Sequence, residues 1–199
     1  MAGRRGYALL TFLSVVYLVK CADIDKMEKE GIVPDVIDKV PDQVIQVSYP
    51  SGVKVELGNE LTPTQVKDEP STLTWTADPE TFYTVAMVDP DAPSRQDPKL
   101  REVLHWLVGN VPGGNIKDGE YIADYRGSGP PQGTGLHRYV FLVYQQNGKI
   151  NFKETKIDSR TRTGRLNFSI KKYLLQSTVW DNPLPATFIK HSSMNTYPY

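Results

Sequence analysis

The chain has 199 residues, of which 39% are hydrophobic and 23% charged, and its formal net charge is zero. This length predicts a single domain with a core large enough to fold without disulfides. The neutral balance gives no reason to expect nucleic acid as a partner. The only cysteine is Cys21, so a disulfide within the chain, a thiol nucleophile further along it and a thiolate metal site are excluded.

Residues 1–22 have the pattern of a secretory signal peptide. Arg4 and Arg5 precede an uncharged apolar run over residues 7–19, and small residues follow it. The run is too short for the roughly 20 residues that span a bilayer, so no stable transmembrane anchor is predicted. The expected product is a secreted, extracellular domain of residues 23–199 with a charge near −3.

The remaining elements are predicted to be mostly strands. Loosely spaced apolar residues predict a short helix within residues 23–40, and from Gln43 the period of the pattern changes to two. A second short helix is expected at residues 168–175, with Asn167 as its cap. Alternating or β-branched runs predict strands at residues 44–49, 53–57, 73–76, 82–88, 103–111, 139–144 and, with a more polar composition, 149–157.

Three of these strands, at residues 82–88, 103–111 and 139–144, are apolar on both faces. They predict a mainly β fold with a central antiparallel sheet and a second layer packed on it. No Gly-rich strand-to-helix turn indicates a nucleotide-binding fold. Two connections, residues 89–101 and 113–136, are long and rich in Pro and Gly, and long loops in compact domains tend to be functional.

Polar side chains cluster around these long connections. Asp89 ends an apolar strand, His105 lies inside another, and His137 alternates with Tyr139, which places those two on one strand face. The glycines of Gly127–Gly135 allow backbone N–H groups to approach a ligand closely. Imidazole, phenol and amide groups are hydrogen-bond donors. We therefore predict that the four side chains converge on a small pocket for an anionic head group.

Other interpretations of these residues remain open. Asp91 is as easily an Asx-turn residue as a functional one, and Arg138 is expected to form a structural ion pair. A metal site built from Asp89 and the two histidines has no supporting His-x-His spacing. A hydrolase would need Ser94 or Ser128 as its nucleophile, and neither lies in a nucleophile elbow. No metal, cofactor or catalytic activity is therefore predicted.

The motifs resemble those of the phosphatidylethanolamine-binding protein family, which includes the Raf kinase inhibitor protein and the plant flowering regulators. Residues 89–93 followed by His105 are similar to the first signature of that family. Residues 127–131 and 135–139 are similar to its second. The likeness runs with little gapping over about residues 44–175.

This resemblance implies a β-sandwich with a central antiparallel sheet, a smaller second sheet and short peripheral helices. It also implies a non-proline cis peptide at Arg101–Glu102 and a surface cavity for phosphate-type groups, including phospholipid heads. Carried over by position, the implied ligand-binding residues are Asp89, Pro93, His105, Gly127, Gly129, Pro130, His137 and Tyr139.

The sequence departs from the family pattern at two places. Leu100 stands where relatives often carry a tyrosine at the pocket mouth. Residues 187–193 stand where family members commonly have an acidic, aromatic helix that closes the mouth. Together these changes predict a more open pocket in a domain with a divergent C-terminal tail.

Two functions follow from the resemblance, and a third is kept open. The leading hypothesis is a secreted, non-catalytic binder of anionic head groups such as phosphate or phosphatidylethanolamine, or of small lipophilic ligands such as odorants. The alternative is an inhibitor of a protease or kinase, with a protein target bound through surface loops such as Asp158–Arg165. The third is an enzyme. Asn167-Phe168-Ser169 is also a glycosylation sequon.

Overall fold

The structure is a computed structural model, and it describes residues 26–176 and 185–191. The predicted signal peptide, Cys21 and the end of the C-terminal tail lie outside the described residues. Two helices, α1 (Ile32–Asp35) and α2 (Ile170–Gln176), accompany a helical turn at residues 26–29 and two 3-10 turns, Pro63–Val66 and Ile116–Asp118. The strands are β1 (Gln43–Val44), β2 (Gln46–Ser48), β3 (Thr72–Thr74), β4 (Phe82–Asp89), β5 (Val103–Pro112), β6 (Glu120–Ala123), β7 (His137–Gln145) and β8 (Pro185–His191).

The strands form a large sheet and a small one. The large sheet has the order β1-β8-β7-β4-β5-β6, and β2 pairs with β3 in the second. All neighbouring pairs are antiparallel except β1 and β8, which are parallel. The predicted mainly β fold with a central sheet and a smaller second sheet is confirmed, although its short edge strand makes the central sheet mixed.

The central sheet separates two hydrophobic cores. Ala86 and Val88 of β4 face one core, whereas Val85 and Met87 face the other. The first core is closed by the N-terminal segment and α2, and the second by the small sheet. Because each face of β4 is covered, the strand has no polar face, which is the pattern its sequence predicted.

Two predicted strands do not form. Residues 53–57 contribute only the isolated bridge between Lys54 and Ser48, and Leu57 leaves the extended conformation with a φ of 38°. Residues 149–157 contribute only the bridge between Ile157 and Ala123. Six of the nine residues in that second segment are exposed, and four of those six are lysine or glutamate, so it has little apolar surface to bury against the sheet.

Two strands that the sequence did not indicate complete the sheet. The first, β6, lies within the connection predicted as a loop. The second, β8, lies between β1 and β7 and contains Thr187–His191. The prediction that this segment stands in place of a lid helix is therefore wrong for residues 187–191. Pairing with β7 places His191 directly opposite His137.

Local details near the predicted site also differ from expectation. Helix α2 begins at Ile170, two residues later than predicted, and Ser169 rather than Asn167 precedes it. The Ser169 hydroxyl accepts a hydrogen bond from the Lys172 amide at 3.4 Å. The cis peptide at Arg101–Glu102 is confirmed. No helix in the described part of the chain is long and apolar enough to span a membrane.

Candidate functional site

A cavity of about 710 Å³ opens at one end of the central strands of the large sheet. Strand β4 ends there and β5 and β7 begin there, because both run antiparallel to β4. The residues predicted from sequence all line it: Asp89, Pro93, His105, Gly127, Gly129, Pro130, His137 and Tyr139. The structure thus brings together side chains from four separate segments of the chain.

A β-bulge places His105 at this cavity. Val88 pairs with Leu104 and Met87 pairs with Trp106, so His105 is the extra residue without a partner on β4. Its two neighbours pack into opposite cores. Bulges re-aim side chains beside functional sites, and here the bulge frees one imidazole from the packing of both cores.

Asp89 and His137 form a buried pair in the cavity wall. His137 Nδ1 lies 2.9 Å from Asp89 Oδ2, and Asp89 Oδ1 accepts the Asp91 amide at 2.7 Å. The other ring nitrogen, Nε2, lies 3.0 Å from the Thr134 hydroxyl, which donates its own proton to the Pro131 carbonyl at 2.7 Å. Both ring nitrogens of His137 therefore have a hydrogen-bonding partner within the cavity wall.

The tautomer of His105 is set by one backbone contact. Its Nδ1 lies 2.7 Å from the Arg126 carbonyl oxygen, which can only accept, so Nδ1 carries the proton. Burial lowers the pKa of His105, although the Arg126 carbonyl and the Asp89 charge oppose the shift. His105 is therefore neutral at physiological pH, and its Nε2 becomes a donor only when a bound anion favours protonation.

Tyr139 lies among three imidazoles. Its ring makes edge contacts with the rings of His105 and His191, with 5.0 Å between ring centroids in each case. It is stacked with the ring of His137, with 6.5 Å between centroids. Burial and the Asp89 charge raise the pKa of the Tyr139 hydroxyl, so it remains a donor.

His191 is the residue that sequence reasoning missed. Its Nδ1 lies 3.2 Å from the hydroxyl of Ser128, which lines the cavity, whereas its Nε2 is buried without a partner among the described residues. Burial and the two other histidines lower the pKa of His191 to about 4. No local motif marks His191, because only the β7–β8 register brings it here.

Asp91 lies beneath the cavity and does not line it. It is completely buried and receives hydrogen bonds from Arg138 Nη2 at 2.6 Å and Nε at 2.8 Å. Arg138 also donates to Asp35 at 2.8 Å. The predicted structural role of Arg138 is confirmed, and the Asx turn is made by Asp89 rather than by Asp91.

The glycines of the cavity loop differ in their surroundings. A methyl group at Gly127 would lie 2.8 Å from the Lys67 carbonyl oxygen, so this glycine is needed for the loop to pack against backbone. A methyl group at Gly129 would meet nothing within 4 Å. Gly127 thus fixes the path of the loop, and Gly129 leaves space beside the cavity.

Four arginines form a basic wall: Arg126, Arg160, Arg162 and Arg165. Three of them belong to the loop Asp158–Arg165, which the sequence offered as a surface for a protein target. That loop therefore borders the same cavity, and a target bound there would also cover the cavity mouth. The aspartate Asp89 is the acidic residue among those that line the cavity.

The structure gives little support to the metal site and the hydrolase that the sequence left open. Within the described ranges, no group of three His, Cys, Asp or Glu side chains is placed to hold a metal ion. The Ser94 hydroxyl accepts the Asp97 amide at 3.2 Å in a local turn. Ser128 and His191 form a serine–histidine contact, but no carboxylate in the part of the chain that the structure describes orients that imidazole as in a catalytic triad.

Comparison with known proteins identifies a family and several relatives of the chain. A family model described as phosphatidylethanolamine-binding protein matches residues 51–182. A Drosophila melanogaster protein provisionally named odorant-binding protein A5 is 40% identical over 169 residues, which cover 82% of this chain and 80% of that protein. The 26 kDa secreted antigen of Toxocara canis is 46% identical over 121 residues, covering 61% of this chain and 46% of the antigen.

Solved structures show the same fold. The carboxypeptidase Y inhibitor, in complex with its cognate proteinase, matches with a TM-score of 0.74 and 26% identity over 87% of this chain and 96% of the inhibitor chain. The solution structure of CG7054 matches with a TM-score of 0.64 and 48% identity over 81% of this chain and 90% of that one. From its motifs, its fold and these matches, the chain belongs to the phosphatidylethanolamine-binding protein family.

Proposed function

We propose that the protein is a secreted, non-catalytic binder of anionic, phosphate-type head groups, or of small lipophilic ligands that carry one. The observation that carries this proposal is the convergence of His105, His137 and Tyr139 on one cavity whose further wall is basic. Among the described residues that line the cavity, four are arginines and one is acidic, and that acidic residue, Asp89, is already paired with His137.

A phosphate oxygen would bind by replacing a protein group that now contacts an imidazole. His137 Nε2 lies 3.0 Å from the Thr134 hydroxyl, and a ligand oxygen would take that hydroxyl's place as a stronger, charged partner. His105 would gain a proton and present Nε2 to the same group. Hydrogen bonds to charged groups are each worth roughly 1.5–3 kcal/mol, so two or three of them suit a ligand of micromolar to millimolar affinity.

Histidine NMR offers the direct test, because all three histidines of the chain surround Tyr139. Titration with phosphoethanolamine should shift the imidazole signals of His105 and His137 most, and that of His191 less. The variant His137→Gln should weaken the response of His105. Unchanged signals at millimolar ligand would refute the proposal.

Extracellular location is part of the proposal. It is supported by the signal-like residues 1–22 and by the names of two relatives, an odorant-binding protein and a secreted antigen. Expression in eukaryotic secretory cells should release a protein that begins near residue 23. Native mass spectrometry of that material reads both the N-terminus and any retained ligand, and a chain that stays inside the cell with residues 1–22 attached would contradict secretion.

A second candidate function is protease inhibition. It is supported by the match to the carboxypeptidase Y inhibitor and by the exposed loop Asp158–Arg165 on the cavity rim. The test is inhibition of carboxypeptidase Y by the purified protein. Inhibition that survives His137→Gln and is lost in Arg160→Gln/Arg162→Gln would favour the loop over the cavity, and no inhibition at micromolar protein would count against this candidate.

A further inference from the structure

The basic wall of the cavity indicates which head groups it selects. We infer that the cavity prefers phosphomonoesters that carry an apolar chain over zwitterionic phosphodiesters such as phosphatidylethanolamine. This inference rests on the proposed function and narrows its ligand class. The inference depends on three features: the charge of the basic wall, the hydrogen bonds that hold the loop bearing that wall, and the size and polarity of the cavity.

Within the described part of the chain, no carboxylate forms an ion pair with an arginine of the wall, although the charge of Asp158 acts on Arg160 and Arg165 at longer range. Arg126 donates to the carbonyls of Ser159 and Arg160, at 3.1 and 3.2 Å. The guanidinium of Arg165 likewise donates only to carbonyls. The guanidinium groups of Arg160 and Arg162 have no hydrogen-bond or ion-pair partner within the described part of the chain, although both side chains line the cavity.

The loop that bears these arginines is held in place. The Asp158 carboxylate accepts the amides of Arg160 and Thr161, at 2.7 and 2.9 Å, and the Thr161 hydroxyl at 3.0 Å. From the other side Arg126 bonds the loop carbonyls, and Arg165, which is buried, ties it to the carbonyls of β5. The backbone of the loop is therefore held in place before a ligand binds, which lowers the entropic cost of binding.

The charge of the ligand decides how much this wall contributes. A phosphomonoester carries about −1.5 to −2 charges at neutral pH, whereas phosphatidylethanolamine has no net charge. An exposed ion pair contributes roughly 0.2–1 kcal/mol, a factor of up to about five in affinity. Arg160 and Arg162 together should therefore favour a dianion by about tenfold, and their contribution should nearly cancel for a zwitterion.

Part of the cavity lining is apolar, and the cavity has room for more than phosphate. Leu100, Val103 and Leu166 line it, and Leu166 is among the exposed large hydrophobic residues of the domain. The volume of about 710 Å³ lies within the range of pockets that hold drug-sized ligands. An alkyl or acyl chain next to the phosphate would cover these side chains, at a gain of roughly 25 cal/mol per Å² of apolar surface.

Four small probes separate the contributions of charge and chain. Hexyl phosphate has both the dianion and the chain, hexylphosphocholine has the chain on a zwitterionic phosphodiester, glycerol 3-phosphate has the dianion alone, and inorganic phosphate has neither ester nor chain. Their dissociation constants for the full protein are measured by calorimetry and by the shifts of the histidine signals. Hexyl phosphate should bind most tightly, by about tenfold over hexylphosphocholine.

The test pair of variants is Arg160→Gln/Arg162→Gln, and the matched control is Lys149→Gln/Lys153→Gln. Each removes two exposed positive charges, and the control lysines lie on a segment that contacts the far end of β5. The dissociation constant of hexyl phosphate should rise about tenfold in the arginine variant and stay within about twofold in the control. That of hexylphosphocholine should stay within about twofold in both.

The possible results distinguish this inference from the function on which it rests. If none of the probes binds the wild-type protein, the proposed function and the proposed selectivity are both wrong. If hexyl phosphate and hexylphosphocholine bind equally and the arginine variant behaves like the control, only the selectivity fails and phosphate binding stands. If glycerol 3-phosphate binds as tightly as hexyl phosphate, the apolar chain is not recognised, which overturns the amphiphilic ligand in favour of a soluble phosphomonoester.

Discussion

Replacing Asp89 and replacing Asp91 by asparagine should have opposite effects, the first on ligand binding and the second on stability. Asp89 lines the cavity and pairs with His137, whereas Asp91 is buried beneath it and pairs with Arg138. Asp89→Asn should abolish the response of the histidine signals to phosphoethanolamine at a modest cost in stability. Asp91→Asn should leave that response unchanged and destabilise the fold.

The cost of Asp91→Asn can be worked out from its contacts. The Asp91 carboxylate accepts from the Arg138 amide at 2.9 Å and twice from its guanidinium, with none of its surface exposed. Breaking a buried pair costs about 3–5 kcal/mol because one charge is left uncompensated. Asp35 remains bonded to Arg138 at 2.8 Å, which places the expected loss near the lower limit, at about 3 kcal/mol.

Urea and thermal unfolding, followed by circular dichroism, measure this loss. For a domain of this size, about 3 kcal/mol corresponds to a fall in Tm of roughly 6–12 °C. Asp89→Asn should shift the Tm by less than half as much. If Asp91→Asn abolished ligand binding while keeping its wild-type Tm, the assignment of Asp91 to structure and Asp89 to the site would be wrong.

Three pH effects follow from individual buried groups. Burial raises the pKa of Glu102 to about 7, so its ionisation destabilises the fold as the pH rises from about 4.5 through 7. Glu102→Gln should therefore raise the free energy of unfolding by about 2–3 kcal/mol near pH 8 and leave it unchanged near pH 4, and an equal effect at both pH values would contradict this. The pKa of His191 is lowered to about 4, so its contribution to stability is complete above about 6.5 and is lost as the pH falls toward 4. Between about pH 7 and 4 the free energy of unfolding, measured with urea, should fall by about 3 kcal/mol more in the wild-type protein than in the His191→Asn variant. Equal falls in the two proteins would refute this role of His191. Burial lowers the pKa of His105, and a bound anion should raise it again. The affinity for hexyl sulfate, which does not titrate in this range, should rise as the pH falls from about 8 to 5, by at most tenfold per unit, and a flat profile would show that His105 takes up no proton on binding.

The parts of the site that lie at predictable places in strands could be found from the sequence. Asp89 directly follows an apolar run, and His137 alternates with Tyr139, so strand ends and strand faces locate these side chains without long-range information. The central strands were also recognisable, because a strand covered on both faces must be apolar throughout.

Other features depend on contacts that are distant in the sequence. His191 joins the site only through its register with His137, across more than fifty residues of chain. The bulge at His105 depends on how β4 and β5 pair, and alternation within β5 does not reveal it. The arginines of the loop Asp158–Arg165 read as a solvated charge run until the carbonyl contacts of Arg126 and Arg165 fix the loop beside the cavity.

A crystal structure of the protein with phosphoethanolamine tests the central claim most directly. The account predicts the phosphate inside the cavity, with its oxygens within hydrogen-bonding distance of His105 Nε2 and His137 Nε2 and with Thr134 displaced from the second. Density for the ligand only outside the cavity, or a cavity that stays empty at saturating ligand, would contradict it.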